Sequence, residues 1–361
     1  MKETPKYRLV FERLRDDIFA GKYPMETRFP SEEQLVRRFR VSRNTIRTAL
    51  EDLKRAGVIE TRNGSGTYLS PAAANATGTI GLIVPGIATG EIFPRICAEI
   101  TRVARANGFS TIFGDASSPD PVVRTTQVLR LAHDYVDKKV DGVILEPLEL
   151  TPNAERTTRQ VLAILGQGRI PVVLLDRDIA GEMQRSNLDL VGIDNLRVGY
   201  ALAKHLIGQG ARTVHALIRP GSAATVRRRA RGVREALQDA GLDWSPRCLH
   251  EFDPTDDVRV KKAFAHRVDA VVCGNDITAA RLIGTLARIG KRVPEDILVT
   301  GVDDIRLSTL IAPKLTTMRQ PCEEIAAAAV KLMMDRIANP QQPAREILLD
   351  AELVVRESSA R

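Results

Sequence analysis

The chain has little sulfur and few rings: four Cys, one Trp and 4% aromatic residues among 361. Cys97, Cys248, Cys273 and Cys322 stand far apart in apolar or helical surroundings, which excludes a disulfide framework and any zinc spacing and reads as reduced, structural thiols. No apolar run approaches the ~18 residues a membrane span needs, and the opening MKETPKYRLV is too polar for a signal peptide. A cytoplasmic protein without a membrane partner is the expectation. Catalytic patterns are missing too. His133, His205, His215, His250 and His266 show no paired metal-ligand spacing, and there is no GxSxG elbow or Walker A loop. GLIVPGIATG, running into Glu91, makes a poor phosphate cradle after a strand. No enzyme, no metal site and no cofactor is expected.

What is present is ordinary in kind and uneven in placement. An apolar fraction of 43% with 27% charged residues describes a globular protein, and the length exceeds what one core accommodates, so two or three domains are expected. The net charge is +8, and residues 1–70 alone hold fifteen Lys and Arg against ten Asp and Glu. Most of the excess therefore sits in the first fifth of the chain, where a polyanionic partner would be met.

That first fifth reads as three helices and a hairpin. YRLVFERLRDDIFA puts Val10, Leu14, Ile18 and Phe11 on one stripe, with Gly21 as a stop. FPSEEQLVRRF opens a second helix with Ser31 as N-cap and Gln34 three residues on, a capping-box spacing, and Leu35, Val36 and Phe39 inward. RVSRNTIRTALEDLKRAG starts again at Ser42, buries Ile46, Ala49, Leu50 and Leu53, and ends at Gly57. The short link makes these a helix-turn-helix. VIETRNGSGTYLS alternates, turns at Asn63-Gly64 and returns, and a three-helix unit trailed by a hairpin is a winged helix. On the third helix Arg43 and Arg47 lie four residues apart and share a face, with Asn44 and Thr45 beside them. Planar guanidinium forks so placed can bridge guanine O6 and N7 or clamp phosphates. A solvated basic face is the bland alternative for the same residues.

SPAAANATG, residues 70–78, has no large apolar side chain and reads as a linker. From there short β-branched runs alternate with amphipathic segments: TIGLIVPG, STIFGDA, VDGVILEP, IPVVLLDRD, DLVGIDN, TVHALIRPG, CLHEFDP, VDAVVCGND and ILVTGVDD are the strands. Such alternation predicts parallel sheets covered by helices, and ten or so strands divide best into two lobes. Ligands of such folds bind beyond the carboxyl ends of the strands.

Residues 7–69, with Pro30 to Glu32, VSRxTxRxAL and the GxGTY of Gly64 to Tyr68, resemble the GntR-type winged-helix DNA-binding family. Residues 78–357 resemble the LacI/GalR-type effector domains, related to periplasmic sugar-binding proteins, through IGLIVPG, VDGVIL, VGIDN, RARGVREAL, CGNDITA, RVPEDILVTGVDD and PKLTTMRQP. The pairing is similar to that of the arabinose-responsive repressors. No basic hinge helix of the LacI kind precedes the second part, and Glu33 stands where the GntR family often has Arg.

The resemblance implies an α/β chain divided as 1–70, winged helix-turn-helix; 71–78, linker; and 79–357, a two-lobed periplasmic-binding-protein-like sensor with parallel sheets. Its lobes are expected at 79–191 with 319–339 and at 192–318 with 340–357. It implies DNA contacts from Ser31, Ser42, Arg43, Asn44, Thr45 and Arg47 and from the wing through Arg62, Gly64 and Gly66. It implies effector contacts from Ile92, Phe93, Thr225, Arg229, Phe252, Asn275 and Asp303, with Asp176 and Arg177 as a further cleft pair. Read without the family, Arg229 belongs to a solvated run, Phe252 to a core and Asn275 to a helix cap. The implied function is a ligand-responsive transcription regulator, a repressor of a carbohydrate-use operon. Its partners would be double-stranded operator DNA, a sugar or sugar derivative as effector, and a second copy in a homodimer. The rival readings are a transport component, which would need an export signal, and a Rossmann-like enzyme, which would need a phosphate loop.

Overall fold

The structure is a computed structural model that describes residues 6–19, 23, 28–55, 58–62, 65–69, 78–88, 92–114, 116, 118–151, 153–180 and 184–360. Gly21, Gly57, the Asn63-Gly64 turn and linker residues 70–77 lie outside the described residues. Contacts group the chain into two compact units, residues 1–80 with 101–112 and residues 81–100 with 113–361.

In the first unit α1 (Lys6–Phe19), α2 (Glu32–Phe39) and α3 (Arg43–Arg55) precede an antiparallel hairpin of β1 (Ile59–Arg62) and β2 (Gly66–Leu69). The 3.6-residue spacing of apolar side chains closes the core. Val10, Leu14, Ile18, Leu35, Ile46, Ala49 and Leu53 are buried together with Phe29 and Leu69, and Phe11, Val36, Phe39 and Leu50 pack half-buried around them. Each fully buried Leu or Ile of that set contributes roughly 1.5–3 kcal/mol. The capping box forms as spaced. Ser31 N donates to Gln34 Oε1 at 2.8 Å and Gln34 N to Ser31 Oγ at 3.3 Å, which starts α2 at Glu32. Arg40 at φ 53° ends it. Residues 101–112, expected in the sensor, group with this unit. Ser110 N donates to the Gly78 carbonyl at 2.9 Å and Ser110 Oγ lies 3.1 Å from Thr79 Oγ1, which ties them to residues 78–80.

Two six-stranded sheets follow. The first comprises β3 (Thr79–Ile83), β4 (Ser110–Phe113), β5 (Gly142–Leu145), β6 (Val172–Leu175), β7 (Asp189–Ile193) and β13 (Glu346–Leu349), in the order β13-β7-β6-β5-β3-β4. The second comprises β8 (Val214–Ile218), β9 (Leu249–Glu251), β10 (Ala270–Cys273), β11 (Leu298–Asp303), β12 (Thr316–Arg319) and β14 (Glu352–Val354), in the order β14-β12-β11-β10-β8-β9. Apart from the antiparallel β12–β14 pair, its ladders run parallel. Fully buried strands such as VVLL and AVVC carry no alternation because helices cover both faces. Those helices are α4 (Ile92–Ala106), α5 (Pro121–Asp137), α6 (Ala154–Gln167), α7 (Asn195–Gly208), α8 (Ala224–Asp239), α9 (Asp257–Ala263), α10 (Asp276–Arg288), α11 (Leu307–Leu310) and α12 (Cys322–Ala338).

One lobe boundary differs from expectation. Residues 346–349 form β13 and pair parallel with β7, so they belong to the first sheet rather than the second. A buried ion pair holds them there: Asp189, at the start of β7, accepts Arg345 N at 2.7 Å and Arg336 Nε at 2.9 Å. A buried carboxylate left without those donors would be costly.

Candidate nucleic-acid interface and effector cleft

On α3 the apolar side is spent on the head's core, which leaves the other side to solvent. Arg43, Asn44 and Arg47 are exposed and Thr45 is half-buried. Ser42 caps the helix, its Oγ accepting Thr45 N at 3.2 Å and meeting Thr45 Oγ1 at 2.8 Å. Arg43 Nε lies 3.4 Å from Glu32, an exposed pair of the kind worth under about 1 kcal/mol, so a phosphate displaces it readily. Arg47 forms no ion pair among the described residues. Glu33 pairs with Arg37 at 2.5 Å, an exposed i,i+4 ion pair within α2. Gly66 has φ +119°, so its backbone already calls for glycine in the wing, with the movable Arg28 side chain packed over it. The Arg62 side chain and Gly64 lie outside the described residues. Arg28, exposed beside the wing, forms an isolated antiparallel bridge to Tyr68 of β2.

In the second unit the loops after β3, β4, β5, β6, β8, β10, β11 and β12 enclose a cleft of about 360 Å³. This is where parallel strands end and helix N-termini begin. Ile92, Phe93, Thr225, Arg229, Asn275, Asp303, Asp176 and Arg177 all line it. Arg229 is buried, its Nε donating to Asn195 Oδ1 at 2.7 Å and its Nη1 to the Gly274 carbonyl, which aims the remaining guanidinium edge. Asp303 sits at φ +117°, backbone that a side-chain-bearing residue holds only under constraint. Its Oδ1 accepts Gln320 Nε2 at 2.7 Å. Burial pushes the Asp303 carboxyl up to about 6, against the pull of Arg229 and Gln320. Beneath it Asp276 is fully buried, accepting Thr317 Oγ1 at 2.5 Å and Ile305 N at 3.0 Å, and burial followed by the charge of Asp303 raises its carboxyl well above the usual range.

Asn275 does cap α10: its Oδ1 accepts Thr278 N at 2.9 Å and Thr278 Oγ1 at 2.7 Å. The cap consumes the acceptor and leaves the Nδ2 donor for a ligand. Arg177 is buried, with Glu146 at 2.6 Å, Asp176 at 2.7 Å and the Pro147 carbonyl at 2.9 Å. Burial alone would weaken its hold on the proton, but Glu149, Glu146 and Asp176 together raise it.

Phe252 corrects an expectation. It does not line the cleft but packs in the second lobe's core with Val260 and Phe264, 5.8 Å from the His250 ring, because it follows edge strand β9 and covers the space under α9. Glu149, Arg124, Arg219, Arg281 and Gln320 line the cleft and were missed. Arg281 had a signal: it lies four residues after Ile277 on α10 and so shares its face. Gln320 stood in the motif PKLTTMRQP.

Residues 6–69 match the family described as bacterial regulatory proteins, gntR family, and residues 203–359 match a periplasmic binding protein-like domain. An arabinose metabolism transcriptional repressor from Halalkalibacterium halodurans is 26% identical over 98% of this chain and 96% of its own length. The HTH-type transcriptional repressor PurR of Klebsiella pneumoniae is 28% identical over 93% of this chain and 91% of its own. A LacI family transcriptional regulator from Enterococcus faecium, solved with bound ribose, superposes with a TM-score of 0.62 at 27% identity, covering 78% of this chain and 98% of that one. These relatives are repressors rather than enzymes, and among the described residues no helix is long and apolar enough to cross a membrane. The chain thus joins a GntR-family DNA-binding domain to a periplasmic-binding-protein-like domain, as a ligand-responsive transcription regulator does.

Proposed function

We propose that this regulator represses a carbohydrate-use operon and that a sugar-like effector in the cleft releases it from DNA. Residues 1–70 form the DNA-binding head, 71–78 the linker and 79–357 the sensor. The head contacts operator through Arg43, Asn44 and Arg47 in the major groove, with the α3 N-terminus at Ser42 on a phosphate. A homodimer presents two such helices to a pseudo-palindromic site.

The observation that carries the effector reading is that Arg229 and Asp303 line one cleft, close enough for the charge of one to act on the other. A buried guanidinium donates two parallel bonds, and a carboxylate accepts from vicinal hydroxyls, so the two read a polyol together. The apolar Ile92 and Phe93 meet the ring's C–H face.

The experiment is fluorescence anisotropy of the full chain on the promoter fragment upstream of its own gene, against random duplex, with pentoses, hexoses and their derivatives added. Preference for the promoter that one sugar abolishes is the expected result. Equal affinity for both duplexes at low salt rejects the operator reading, and a preference no sugar alters rejects the effector reading.

A further inference from the structure

The effector cleft holds five arginines, and their partners divide them. Arg177 is hemmed by Glu146, Asp176 and Glu149. Arg229 acts on Asp303. Arg124 is buried and spent on backbone, donating to the Ser118 carbonyl at 2.9 Å and the Pro119 carbonyl at 3.3 Å. Arg219, just beyond β8, and Arg281, on α10 one turn after Ile277, remain. Neither side chain forms an ion pair or hydrogen bond among the described residues, yet both line the same cavity.

They are also close enough to act on each other. Burial first and the charge of Arg281 second lower the proton affinity of Arg219. Glu149 and Asp253 offset this in part by their charge, but neither hydrogen-bonds Arg219 or Arg281 among the described residues. Asp253 Oδ1 accepts Thr255 N at 2.9 Å and Thr255 Oγ1 at 2.8 Å. Glu149 Oε2 accepts Ala223 N at 3.1 Å, and its Oε1 lies 3.7 Å from Arg177. Two like charges are thus left facing a shared space with their donor forks free, an arrangement that an incoming anion relieves and a neutral ligand does not.

We infer that the effector is an anionic sugar, with a carboxylate or phosphate held by Arg219 and Arg281 while its hydroxyls meet Asp303, Arg229 and Asn275. The inference rests on the reading of the cleft as a polyol site and narrows it. The cleft is divided by charge: the carboxylates of Asp303 and Asp176 accept from hydroxyls, and the unpartnered guanidinium pair takes the anion.

Isothermal titration of the full chain tests it with D-glucose, D-galactose, L-arabinose and D-xylose, each beside its aldonate and its terminal phosphate, and with inorganic phosphate as competitor. One anion should bind at least about tenfold more tightly than its neutral parent and weaken with added salt. Which anion binds separates the carboxylate from the phosphate. Arg219→Gln and Arg281→Gln should each cut that preference by about tenfold, with melting curves confirming the fold. If a variant fails to fold, the parent's salt series decides, and an anion affinity indifferent to salt overturns the inference. A neutral sugar that binds as tightly as its anion overturns the inference alone and leaves the repressor reading standing. Binding by no member of the panel overturns the inference and the sugar reading together.

Discussion

Asp303 meets two opposed demands, and its chemistry lets them be separated. In the folded chain its carboxyl is pushed up to about 6 by burial, while an unfolded Asp titrates near 3.8, so the native state binds that proton more tightly. Stability from this group is full below about pH 4 and is lost as pH rises through about 6. Since Asp303 borders the solvent-filled cleft, the loss is of order 1–2 kcal/mol rather than the full value of the shift. Asp303→Asn should therefore raise the melting temperature at pH 7.5 while abolishing effector binding, a trade of stability against function. A variant that melts lower and still binds the effector would contradict this. His215 points the other way. Burial and the neighbouring His250, 2.8 Å from its Nδ1, hold its pKa down to about 4. Its contribution is present above about pH 6.5 and is lost as pH falls toward 4, so the urea midpoint of the sensor should drop between pH 7 and pH 5 and drop less in His215→Gln. In the head, Arg47→Ala should weaken operator binding by about 1–3 kcal/mol and narrow the gap between operator and random duplex, the signature of one lost major-groove contact, measured by anisotropy at one salt concentration.

The elements that aim these residues are held by contacts with no slack. Helices α7 and α8 cross at two glycines: a Cβ on Gly199 would run into the Arg229 carbonyl, and one on Gly232 would meet the Leu196 carbonyl and lie 2.7 Å from Tyr200 N. Neither backbone can yield without moving α8, and Arg229 rides on α8. Gly232→Ala should cost about 1–3 kcal/mol and weaken effector binding, although the residue touches no ligand. Thermal melts with and without effector measure both. Local order of this sort was largely legible in the sequence. The Ser31–Gln34 box, the Ser42 cap and the strand-helix alternation depend on neighbours a few residues away, and the helices fall where their apolar spacing put them. Pairings set by distant partners were not legible. Nothing local says that residues 346–349 join β7, because Asp189 and Arg336 decide it from far along the chain. Phe252 read as core from its residues and as a ring platform only from the family, and the packing of Phe264 and Val260 around it decides for core. Arg219 and Arg281 are 62 residues apart in sequence and meet only in the cleft.

At the scale of the whole molecule, the sensor must exist in two states for its ligand to matter. An effector alters DNA affinity only by binding one state better than the other. In the proposed function the cleft is that switch. Glu149 Oε2 accepts Ala223 N, Leu150 N donates to the Gly221 carbonyl at 3.2 Å, and Arg95 Nη1 of α4 donates to the Asp304 carbonyl at 3.4 Å, so hydrogen bonds join the two lobes. Three such bonds, each worth about 1 kcal/mol, are weak enough for occupancy to shift the balance between closed and open. Operator and effector are then linked, and the linkage is reciprocal. The most direct test is the dissociation constant of the effector measured twice at one salt concentration, on the free full-length chain and on the chain saturated with operator. The account predicts at least about fivefold weaker effector binding on the operator-bound form, and equal constants would contradict it.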